Sequence, residues 1–252
     1  MGGLFMIDML KTKLHKKTID NKRAEISKLL KLKSANITKG IISAMSIADL
    51  NLLFNLYDQV FFENWFKESF KGRIKFSLSK RMTKSAGITL CPKNIDKVKP
   101  EELVIEIRIG VDFFFHYDLV KGSKMVCGVK TNNSLEALQL VFEHELCHVL
   151  EFIHFKESNC GKDRFKTIAN NMFGHTESYH KLPTYMQIAN QSLGLNIGDV
   201  VSFTFEGERL SGIIYNINKR ATVMVKNNNG SLVDGKGNRF IKYYVPLILL
   251  KQ

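Results

Sequence analysis

His144-Glu145-Leu146-Cys147-His148 sits inside a run, Asn133 to about Phe155, that reads as one long helix. Residues four apart share a helix face, with Cβ atoms about 5–6 Å apart. His144 and His148 can therefore offer two imidazoles to one Zn²⁺, the arrangement that H-E-x-x-H encodes. Glu145 leans over the open side of such an ion. There it can take a proton from a metal-bound water whose pKa has dropped to about 7. The chemistry implied is metal-assisted hydrolysis, most often of a peptide bond, with Glu145 as base rather than ligand. Leu138, Leu140, Val141, Phe142, Leu146, Cys147, Val149, Leu150, Phe152 and Ile153 make the helix apolar nearly all round, so it is expected to be buried. His144, Glu145, His148 and Glu151 then form a polar stripe within a core, and buried polar groups need partners. A metal would supply one; the alternative is a core helix whose histidines are only hydrogen-bonded.

The third ligand is not obvious. His154 extends the pattern to H-E-x-x-H-x-x-E-x-x-H, but Glu151 stands where that longer motif needs a glycine to turn the chain back. With no break, ten residues at 1.5 Å rise carry His154 about 15 Å along the axis from His144. It is expected as a surface histidine in the last helical turn, where positive charge is favoured. The missing ligand has to come from later in the chain.

Composition sets the frame. A chain of 252 residues can bury a sizeable core as one or two domains. Cys91, Cys127, Cys147 and Cys160 form no C-x-x-C pair, which suits a reducing, cytoplasmic setting. No secretory apolar segment and no run long enough to span a membrane is present, so no membrane partner is expected. The net charge of +13 is uneven: residues 1–40 carry ten Lys/Arg against three acids, and residues 196–252 eight against four. A nearly neutral body between two basic flanks points to a nucleic-acid partner, DNA or RNA.

Residues 1–45 read as a basic helical arm, with Leu10, Leu14, Ile26, Leu29, Leu30 and Leu32 among many lysines. Ser46 with Asp49 looks like a capping box opening a helix through Leu50, Leu53, Phe54, Tyr57 and Phe61. Strand-like runs follow at 74–79, 86–90 and 103–109, the first two separated by the basic loop Lys80 to Lys84. Asn133 with Glu136 caps the helix of the motif, and Lys162 to Phe173 reads as a further helix closed by Gly174. From about Gly198 apolar and polar residues alternate, and Asn229-Gly230 and Asp234-Gly235 are turn signals. The expected architecture is α+β: an arm at 1–45, a metal-binding domain at 46–195, and a small all-β, SH3-like barrel at 196–252.

With these pieces in order, the chain resembles the SprT-like metallopeptidases, the group of bacterial SprT and the eukaryotic Spartan proteases. The resemblance rests on His144 to His148, on the aromatic-rich helix from Leu50 to Phe62, and on Ser79-Lys80-Arg81-Met82-Thr83-Lys84-Ser85-Ala86-Gly87, which looks like the family's S-x-R-M-T-x-S-A-G element. It covers about Leu50 to Leu182 and implies a minimal zincin-like domain. It also implies Zn²⁺ on His144 and His148, Glu145 as catalytic base, and proteolysis of DNA-bound proteins. One element departs. Where the family has a ligand histidine in H-G-x-x-F, this chain has Cys160-Gly161-Lys162-Asp163-Arg164-Phe165. A thiolate is a sound zinc ligand, so Cys160 is the favoured third ligand. His175 is the competitor, or else a donor to the tetrahedral intermediate.

The reading is thus a zinc-dependent endopeptidase acting on protein substrates associated with nucleic acid. Lys80, Arg81, Lys84, Lys219 and Arg220 are candidate phosphate contacts. The competing reading is a nucleic-acid-binding protein whose zinc site is structural or degenerate. Glu145 separates the two, because a structural site needs no base.

Overall fold

The first helix, α1 (Lys16–Lys33), begins where the ring of His15 accepts the Lys17 N–H, and it ends among Lys31 and Lys33, favourable at the negative end of a helix dipole. The structure is a computed structural model and describes residues 10–122 and 124–252; the first nine residues of the expected arm lie outside the described residues. Among those described, α1 is no free arm. Ile19, Ile26 and Leu30 are buried in the same core as the helix of the H-E-x-x-H motif, and α1 packs on the next helix, α2 (Ile47–Phe61). The partial periodicity of its leucines reflects that one buried face.

α2 starts with the expected capping box: Ser46 accepts the Asp49 N–H and Asp49 accepts the Ser46 N–H. A short α3 (Trp65–Glu68) follows. Then β1 (Arg73–Ser79), β2 (Gly87–Leu90) and β3 (Val104–Gly110) form a sheet in the order β1-β3-β2. β3 runs parallel to β1 and antiparallel to β2. Its Ile105, Ile107 and Ile109 alternate into the core, and β2 is left as an edge strand. A short α4 (Val111–Phe115) leads on to a hairpin of β4 (Lys124–Val126) and β5 (Val129–Thr131). α5 (Ser134–Phe155) is the helix of the motif, capped by Asn133 at Glu136 N–H and ended by Lys156 in the left-handed region. α6 (Asp163–Phe173) closes on Gly174 at φ 64°.

Two compact units result, residues 10–118 with Gly122–Leu182, and Leu119–Lys121 with Pro183–Gln252. They divide the chain differently from the three segments expected at 45/46 and 195/196. α1 belongs to the first unit because its apolar face has no other cover. α7 (Tyr185–Leu193) belongs to the second because its Ala189, with Leu195, packs into the cluster of Val201, Ile214 and Val223.

The second unit continues as β6 (Val200–Phe205), β7 (Glu208–Ile217), β8 (Arg220–Lys226), β9 (Leu232–Val233) and β10 (Arg239–Pro246). They form one five-stranded sheet in the order β6-β7-β8-β10-β9, every pairing antiparallel. Of the two turn signals, Asp234-Gly235 lies in the hairpin turn that joins β9 to β10, whereas Asn229-Gly230 joins no hairpin. β8 pairs with β10 rather than with its neighbour β9, so Asn229-Gly230 lets the chain cross. A Cβ at Gly230 would lie 2.4 Å from the Phe240 backbone. In the next turn Asp234 accepts the N–H groups of Lys236 and Asn238, and Gly237, not Gly235, takes the positive φ. Among the described residues no helix is long and apolar enough to cross a membrane.

Candidate metal centre

α5 is buried along most of its length, including the polar residues Glu143, His144, Glu145 and Glu151. His144 and His148 lie one turn apart, and their Nε2 atoms are 3.1 Å apart. Two ligands of one tetrahedral zinc, each at about 2.05 Å, are about 3.3 Å apart, so this pair has the spacing of a shared ion. Cys160, in the loop before α6, completes a set with them: the ligand atoms of His144, His148 and Cys160 all lie within 4.8 Å of one another. Phe165 packs its ring 4.7 Å from that of His144 and 4.5 Å from that of His148, which fixes both imidazoles from α6.

The hydrogen bonds around His148 assign its tautomer. Ser158 Oγ donates to Glu151 Oε2 (2.7 Å), so its lone pair faces His148 Nδ1 at 2.6 Å and takes the N–H from there. That leaves the Nε2 lone pair turned to the site. Glu151 is in turn held by Arg164 Nε at 2.7 Å. Burial pushes His148 down to about 4 and His144 well below its ordinary value, so both rings are neutral, the form that binds metal. His144 Nδ1 is buried without a hydrogen-bond partner. The donors present fit a zinc ion.

Glu145 lies beside this cluster, beneath the edge strand. Burial lifts its carboxyl to about 8 against the pull of the Thr89 hydroxyl, which donates to Oε2 at 2.7 Å. Gly87 makes the approach of β2 feasible. A Cβ there would meet Glu145 Oε1 at 2.6 Å and Val141 Cγ1 at 2.9 Å.

The model of the SprT-like family matches residues 50–184. The chain belongs to the SprT-like family. No curated protein and no solved structure matches it. The SprT-like region carries the metal-capable group, Glu145, β2 and the loop Lys80 to Lys84, and it leaves α1 and most of the second unit outside.

The structure separates the two residues that competed for the third position. His175 turns Nε2 onto Glu143 Oε2 at 2.8 Å and joins neither metal-capable group among the described residues. Glu143 binds it together with Tyr57 Oη and, by two nitrogens, Arg23. One cation of the supposed arm is thus an internal ion-pair partner. His154 does lie in the last turn of α5, but it is no surface histidine: its ring is tilted against Trp65 at 5.5 Å with Nε2 buried, and burial lowers its pKa.

Sequence reasoning passed over His180. Yet His180 forms a second metal-capable set with Cys127 and His144, its ring 4.3 Å from that of His144. No spacing rule could have found it, because the docking of the segment after α6 decides its position. The remaining candidates are exposed: Lys80, Arg81 and Lys84 on the loop before β2 in the first unit, Lys219 and Arg220 at the β7–β8 turn in the second.

Proposed function

We propose that the first unit is a zincin-like, zinc-dependent endopeptidase with His144, His148 and Cys160 as ligands and Glu145 as general base. The observation that carries this is the pair of facing Nε2 atoms with Cys160 beside them and a buried carboxylate on the next residue. Bound zinc would polarise the scissile carbonyl and acidify a water molecule at the site. Glu145, oriented by Thr89, accepts the proton of the attacking water and passes it to the departing amine. β2 is the edge of its sheet and lies over Glu145, so an extended protein substrate can add to it as a further strand. Glu145→Gln should keep one zinc per chain and the fold while abolishing cleavage. X-ray absorption at the zinc edge should show one Zn–S distance near about 2.3 Å. Full cleavage by the glutamine variant, or a spectrum without sulfur, would overturn the assignment.

A nucleic-acid partner, DNA or RNA, is supported by the second unit, which we read as an SH3-like barrel. Opposite the buried face of Ile214, Val223 and Val225, the register lines up Ile213, Met224 and Lys242 across three strands. Arg209, Arg220 and Lys226 share that face, as do the exposed rings of Tyr215 and Tyr244. Cations interleaved with aromatic rings, with no carboxylate at a strand position of the face, suit phosphates and stacked bases. Such a partner would bring substrates that are themselves bound to nucleic acid, in keeping with a cytoplasmic protein.

A further inference from the structure

The segment after α6 is docked at several points. His175 is held by Glu143, and the N–H groups of Thr176 and Glu177 both donate to Cys127 O, at 3.1 and 3.2 Å. Thr176 Oγ1 donates to Gly128 O at 3.1 Å, where a Cβ on Gly128 would sit 1.9 Å from that hydroxyl. The β4–β5 turn, Cys127-Gly128, is therefore shaped to receive this segment, and what the segment delivers is His180. Its side chain is only 5 % exposed, and Nε2 lies 4.0 Å from Glu145 Oε1. That distance is too long for a hydrogen bond, and Nε2 has no partner. A buried ring nitrogen left unpaired is costly unless something arrives to meet it. His180 is also not in the set formed with His148 and Cys160. It stands on the base's side of the centre.

We infer that His180 is a further catalytic residue, donating a hydrogen bond from Nε2 to the substrate oxygen that becomes negative as water adds to the scissile carbonyl. The inference rests on the peptidase reading above. In the addition step the water oxygen forms a bond to the carbonyl carbon, the π pair moves onto the carbonyl oxygen, and Glu145 takes the water proton. His180 keeps its own proton and only shares it. When the C–N bond breaks, that electron pair returns to the carbonyl, and the amine leaves with the proton held by Glu145. A donor fixed in place before reaction, with water excluded around it, stabilises such charge without reorganising.

The test uses the full chain loaded with zinc, β-casein as substrate, and a phosphoramidate dipeptide as a tetrahedral analogue. His180→Ala should retain one zinc at unchanged affinity and lose about 10²–10³-fold in kcat, with KM moved by less than about threefold. The analogue should bind His180→Ala more weakly by a comparable factor. His180→Gln, which keeps an N–H donor, should recover part of both. Loss of zinc from His180→Ala would make His180 a ligand with Cys127 and overturn the inference, as would unchanged kcat and analogue binding. If the unaltered protein cleaves no casein, it is the peptidase reading that fails, and analogue affinity at equal zinc content still decides for or against His180.

Discussion

At Gly87 a single missing Cβ governs the site. Its backbone needs no left-handed conformation; what matters is that β2 passes within contact distance of Glu145. The alanine Cβ would lie 2.6 Å from Oε1 and 2.8 Å from Cγ of that residue, so the carboxylate has to move before the strand does. Gly87→Ala should therefore cost about 1–3 kcal/mol in chemical denaturation, while a displaced base loses about 10²-fold in turnover. An alanine variant with unchanged kcat would show that Glu145 has room to spare. The same scale explains His148 and His154. Both are helix histidines, but His148 meets a hydroxyl that orders its tautomer, whereas His154 meets an indole ring.

Among the elements, α1 has the largest effect on the reading. Its sequence looks like a cationic arm, yet Arg23 reaches Glu143 on α5 with nitrogens at 2.8 and 2.5 Å, and Glu143 has no exposed side-chain surface. Burial alone would raise that carboxyl; Arg23 and His175 outweigh it and hold Glu143 below its ordinary range. A group whose folded pKa is depressed stabilises the fold above its unfolded value of about 4.3 and loses that contribution as pH falls through the folded value. Arg23→Gln should cost about 3–5 kcal/mol at neutral pH by leaving a buried charge unpaired. It should also flatten the acid limb of the stability profile. Equal stability of the two proteins from neutral to acid pH would mean that the pair is not what docks α1.

At the scale of the whole molecule, the two candidate sites fall in separate units. The face of β7, β8 and β10 that bears Arg209, Arg220, Lys226 and Lys242 lies in the second unit, while the zinc-capable cluster lies in the first. If the second unit contacts phosphates, log affinity for nucleic acid should fall linearly with log salt, by about 0.7 per phosphate neutralised on single strands and 0.9 on duplex. Arg220→Gln with Lys242→Gln in the full chain should flatten that slope by about two contacts' worth and leave zinc content alone. An unchanged slope would assign the charge to solvation.

Sequence alone determined what depends on neighbours along the chain. The i, i+4 spacing placed His144 and His148 on one face, Ser46-Asp49 and Asn133-Glu136 set two helix starts, and alternation marked the strands of the five-stranded sheet. The S-x-R-M-T-x-S-A-G run and the motif helix pointed to the SprT-like family, and the match over residues 50–184 bears that out. Only the tertiary structure decided which groups meet across long separations. Arg23 and Glu143 are 120 residues apart, His175 and Glu143 are 32 apart, and His180 comes to lie beside the His144 ring because a hairpin turn holds its segment. These contacts arise from side chains in one core competing for buried partners, and that competition leaves no periodicity in the chain.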